Sequence, residues 1–125
     1  MPSQEEPRAD VAPVRRFKDP DYVPQAASLG ELRAKIDALD ERIVALLAER
    51  GRYVRDATRF KRDAFQVSAP QRQEQVFARV RELAARHEQD FPGLSDVVET
   101  AYRTLVAAYI AGEGRFFDDT EAIES

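Results

Sequence analysis

Between Ser28 and Asp63 the apolar positions Leu32, Ile36, Leu39, Ile43, Leu46, Val54 and Ala57 follow an alternation of four and three residues. That spacing keeps one face of an α-helix apolar. Two positions in the same phase carry charge: Arg50 stands between Leu46 and Val54, and Lys61 follows Ala57 by one turn. Near the other end of the chain Tyr102, Val106, Ile110, Glu113 and Phe117 repeat the stripe, with Glu113 in the apolar phase. A buried charge without a partner costs several kcal/mol or more. These three charges therefore predict a polar pocket inside a helical bundle, fit for an anionic ligand.

The same pattern sets out the elements. Ser28 followed by Glu31 is a capping signature, and the run from there to about Asp63 contains no proline and only Gly30 and Gly51 as weak points. It predicts a first helix of about 35 residues, about 50 Å long at ~1.5 Å per residue. A globule of ~100 residues has a radius of gyration near 13 Å, so one chain cannot cover such a helix. A homodimer in which two long helices pack along each other is the economical solution. Ala64 to Ala69 reads as a turn, Pro70 opens a second helix to about Gln89, and Phe91-Pro92-Gly93 breaks the chain. A third helix is predicted from Leu94 or Ser95, with Asp96 and Glu99 in its first turns, to about Phe117. Gly112 and Gly114 flank Glu113 inside it, each costing roughly 1 kcal/mol against alanine, and mark either fraying or room for a close neighbour. No segment alternates with period two. The expectation is an all-α fold of three helices per chain, the first of them long.

Composition narrows the function. Five of the seven prolines fall in residues 1–27, which read as a flexible N-terminal arm; 28–118 form the helical domain and 119–125 a C-terminal tail. Arg15, Arg16, Phe17 and Lys18 make a short basic and aromatic cluster in the arm, read as ordinary solvated charge. A net charge of −4 argues against a general nucleic-acid or acidic-membrane binder, so any positive site is local. There is no cysteine, and His87 is the single histidine, read as a surface residue; thiolate chemistry, a histidine triad and a multi-histidine metal site fall away. No metal or other cofactor is expected. No apolar run approaches the ~20 residues that span a bilayer, and no apolar signal core opens the chain, so the expected location is cytoplasmic with no membrane partner.

Arg50 and Lys61 lie about three helical turns apart, roughly 16 Å between Cα atoms on one face, within reach of one small molecule through long side chains. Arg33 is about 25 Å from Arg50 along the same helix, too far to join it within one chain, whereas an antiparallel partner's Arg33 could reach. Forked arginine donors and a compact lysine charge suit a dicarboxylate. Phosphate would suit the charges too, but no glycine-rich phosphate loop is present.

The segments Leu32-Arg33-Ala34-Lys35-Ile36-Asp37-Ala38-Leu39-Asp40, Ile43 to Arg50, Arg59-Phe60-Lys61, Ala69-Pro70-Gln71-Arg72 and Tyr109-Ile110-Ala111-Gly112-Glu113 resemble the all-helical chorismate mutase family. The likeness covers about residues 29–118 and is nearest to the short subgroup that includes isochorismate-pyruvate lyases. The resemblance implies an intertwined helical homodimer in which Arg33 of one chain joins Arg50, Lys61 and Arg72 of the other around the substrate. The arginines would hold its two carboxylates, and Lys61 would approach the ether oxygen as the C–O bond breaks on the way to prephenate. Glu113 matches a family position that is glutamine or glutamate and donates a hydrogen bond to the same oxygen; a glutamate donates only when protonated. Gln73 stands where many members carry a glutamate that contacts the substrate hydroxyl. This departure leaves chorismate and isochorismate both open as substrates, and with them the mutase and lyase reactions.

The competing reading is a non-catalytic helical dimerisation module, with Arg50 and Lys61 snorkelling to solvent or paired with acids such as Glu49 or Asp56. Tyr102, Tyr109, Phe116 and Phe117 are expected in packing rather than against substrate.

Overall fold

The computed structural model describes residues 4–123, so the first three residues of the arm and the last two of the tail lie outside it. The described residues are all-helical, with helices α1 (Leu29–Ala57), α2 (Ala64–Ser68), α3 (Pro70–Ala85) and α4 (Leu94–Asp118) and a 3₁₀ turn at Thr58–Phe60. None is long and apolar enough to cross a membrane. The chain divides into two compact units, Met1–Ala48 and Glu49–Ser125.

In the first unit, residues 4–27 form no helix or strand. The rings of Phe17 and Tyr22 lie 4.4 Å apart, and Ala9 O accepts the Gly30 N–H at 2.9 Å. The capping signature operates as the sequence reads. Ser28 Oγ accepts the Glu31 N–H at 3.2 Å, and Glu31 returns a carboxylate oxygen to the Ala27 N–H at 3.1 Å. The apolar stripe that follows was expected to need more than one chain to cover it. Within this chain α1 has no buried residue, and Ile36, Leu39, Ile43 and Leu46 are all at least half exposed.

The second unit holds the core: Val67 of α2, Phe77, Val80 and Ala84 of α3, and Val106 of α4. Helices α3 and α4 pack against each other. Arg81 reaches Asp96 at 2.8 Å and Glu99 at 3.3 Å, while Arg103 binds Glu99 at 3.0 Å and lies 4.4 Å above the Phe77 ring. Gly93, at φ +93°, makes the turn into α4. Glu88 fastens it, accepting the Gly93 N–H at 2.6 Å on Oε1 and the Ser95 N–H and hydroxyl on Oε2. These bonds, the one from Gly93 foremost, hold its carboxyl below the ordinary glutamate range. His87 is on the surface beside Asp90.

Two boundaries differ from the sequence pattern. Helix α3 stops at Ala85, and the chain curls on to Asp90 through bonds such as His87 N–H to Ala84 O. More consequentially, α1 stops at Ala57, and residues 64–68, expected as a turn, are helical. The cause is a second cap. Asp63 accepts the Gln66 N–H at 2.9 Å, and Gln66 Oε1 accepts the Arg62 N–H at 2.6 Å, the same reciprocal pair made by Ser28 and Glu31.

Candidate active site

Lys61 is not on the α1 stripe. It follows the 3₁₀ turn in extended backbone, φ −104° and ψ 139°, so the chain reversal and not helical phase carries it inward. The next reversal is at Ala69, whose left-handed φ of 45° and ψ of 60° are uncommon for a residue with a Cβ. Pro70 then starts α3, placing Arg72 and Gln73 in its first turn. Gln73 Nε2 donates to Ser68 O at 2.7 Å across the α2–α3 junction.

These turns and α4 enclose a cavity of about 240 Å³ whose lining includes Arg50, Lys61, Arg72, Gln73 and Glu113. Five of the six residues expected at the site thus meet at one place. The sixth, Arg33, belongs to the other unit, where it is exposed on α1. Tyr109, expected in packing, also lines this cavity.

The charges are unevenly satisfied. Lys61 Nζ donates to Gln66 O at 3.1 Å and stands 3.5 Å from Glu113 Oε2. Glu113 is 5% exposed, and its Oε2 has no hydrogen-bond partner, since the lysine approaches at ion-pair distance without hydrogen-bond geometry. A buried carboxyl oxygen left in this state is costly unless something else engages it. Arg50 is half-buried and has no carboxylate partner among the described residues; its guanidinium lies 5.0 Å from the Tyr109 ring centre and 5.8 Å from that of Tyr102. Arg72 is exposed, with one long contact to Gln75 at 3.5 Å.

A second cavity, lined by Arg52, Arg55, Asp56, Thr58, Arg59 and Phe116 among others, is also rich in arginine. There Arg59 is already matched by Asp56 through two bonds of 2.8 and 3.1 Å, which hold the Asp56 carboxyl below its ordinary range. The first cavity differs in combining Arg50 and Arg72, neither matched by a carboxylate among the described residues, with a buried carboxyl group, an arrangement that can bind a dianion and present donors to an oxygen gaining charge.

The chorismate mutase type II family model matches residues 32–114 of this sequence. The chain belongs to the chorismate mutase type II family. A relative named chorismate mutase, from Methanocaldococcus jannaschii, is 33% identical over 63 residues, which make up 50% of this chain and 64% of that protein. The match thus spans somewhat less than two thirds of that relative. The family match takes in Arg33, Arg50, Lys61, Arg72, Gln73 and Glu113.

Proposed function

We propose that this chain is a chorismate mutase that rearranges chorismate to prephenate by electrostatic stabilisation of the transition state. The observation that carries the reading is the convergence of Arg50, Lys61 and Arg72 with buried Glu113 on one cavity. The arginines hold the substrate's two carboxylates by charge-assisted hydrogen bonds. Lys61 exchanges part of its contact with Gln66 O and Glu113 for the ether oxygen, where negative charge grows as the C–O bond lengthens. Glu113, on α4, donates to the same oxygen when its carboxyl group carries a proton. Bonds form and break within the substrate itself, so positioning and charge supply the acceleration, with no covalent intermediate. Gln73, its amide directed to Ser68 O, presents its carbonyl oxygen to a substrate hydroxyl.

Arg33 completes the site from a second copy. The exposed stripe of Ile36, Leu39, Ile43 and Leu46 on α1 supports this, because a helix face of that composition gains by burial against its like.

The test is incubation of the purified protein with chorismate and with isochorismate at pH 5 and pH 8, followed by chromatographic measurement of prephenate, salicylate and pyruvate. Prephenate as the main efficient product supports the mutase. Salicylate with pyruvate would replace it with isochorismate-pyruvate lyase, and turnover of neither by an intact dimer would leave a dimerisation module.

A further inference from the structure

Arg50 poses a problem of orientation. Arginine has many rotamers to lose, and a cation meant to grip a carboxylate must be held without being neutralised. No acid among the described residues pairs with it; what stands beside its guanidinium is the pair of tyrosine rings, at 5.0 and 5.8 Å. Tyr102 and Tyr109 are two turns apart on α4 and so share a face. An aromatic face attracts a guanidinium through its quadrupole and leaves the full charge for a ligand. Gly51 supplies the space, since a Cβ there would lie 3.2 Å from Cε1 of Tyr109. That gives a reason for a helix-interior glycine next to Arg50.

We propose that Tyr102 and Tyr109 are positioning residues that pre-orient Arg50 for a substrate carboxylate by cation–π contact. The role rests on the proposed mutase reading of this cavity. A carboxylate keeps its charge throughout the rearrangement, so Arg50 binds ground and transition states alike, and disorder in Arg50 appears in KM rather than kcat.

The experiment pairs kinetics with arginine side-chain NMR. In the wild-type protein the Arg50 side-chain protons, assigned by their loss in Arg50→Lys, are shifted upfield by ring currents, and the shift shrinks in Tyr109→Leu. Tyr109→Leu raises KM for chorismate roughly 3- to 30-fold with kcat changed less than about 3-fold, the range expected of cation–π contacts. Tyr102→Leu acts in the same direction and provides a second variant should Tyr109→Leu misfold. Tyr109→Phe, which keeps the ring, restores KM to within about twofold. An unshifted Arg50 signal, an unchanged KM in both leucine variants, or a Tyr109→Phe variant as impaired as Tyr109→Leu overturns the proposal. The NMR shift needs no substrate: a shifted signal with no turnover would remove the mutase reading and leave the clamp standing.

Discussion

Lys61 Nζ lies 3.5 Å from Glu113 Oε2, joining the segment after α1 to the C-terminal part of α4 at the wall of one cavity. The pair stands in a partly buried place, with side-chain exposures of 22% and 6%. The contact is at ion-pair distance, and Oε2 lacks a hydrogen bond. Replacing Lys61 by Met keeps the stem and removes the charge. We expect kcat for prephenate formation to fall by about 10²- to 10³-fold, the usual cost of losing a donor at a developing oxyanion. Steady-state kinetics alongside a thermal melt measures this, and a loss explained by unfolding would not count.

Glu113 can donate to an oxygen only with its proton on, whereas glutamine donates at any pH. Glu113→Gln is therefore expected to keep prephenate formation within about tenfold of wild type, and Glu113→Ala, which removes the donor, to lower kcat by about 10²- to 10³-fold. Steady-state kinetics of the two variants decides it; an alanine variant as active as wild type at constant stability would refute the donor role.

Arg33 offers a direct test of the shared site. On the proposal that two copies share each site, Arg33→Ala and Lys61→Ala proteins each lack one group at both sites, and a mixed dimer would rebuild one intact site. Co-refolding equal amounts should restore about a quarter of wild-type activity by random pairing. No restoration by mixed dimers, verified by a tag on each chain, would place Arg33 outside the site.

Ala69 holds φ 45° immediately before Pro70. Left-handed backbone costs a residue with a Cβ about 1–2 kcal/mol, and glycine escapes most of it. Ala69→Gly should leave stability unchanged or raise it by up to ~1 kcal/mol, whereas Ala84→Gly, at a buried position in the last turn of α3, should lower it. Urea unfolding of the two variants side by side is the measurement.

Glu88 ties the turn to the start of α4, and its carboxyl is held below the ordinary value by the Gly93 N–H and then by Ser95. A depressed carboxyl contributes stability that is fully present above its unfolded value of 4.5 and is lost as pH falls through the lower folded value. The urea midpoint of the wild type is expected to drop between about pH 5 and about pH 3, and that of Glu88→Gln to drop less.

The periodic stripe, the Ser28 cap, Pro70 and the Phe91-Pro92-Gly93 break determined an all-helical chain and most of its boundaries, because each acts through neighbours three or four residues away. The family spacing of the cations was legible for the same reason, as positions along helices. Asp63 and Gln66 also carried a readable cap, passed over because the apolar phase through Lys61 pointed to one unbroken helix. Only the tertiary structure decided that this helix ends at Ala57 and that the reversals at Lys61 and Ala69 bring Lys61, Gln73 and Glu113 together. It also decided that the Arg50 guanidinium rests on two tyrosine rings and that one oxygen of Glu113, whose inward position the apolar phase had indicated, is left unpaired. Those outcomes depend on contacts between segments distant in sequence, whose energies no local periodicity encodes.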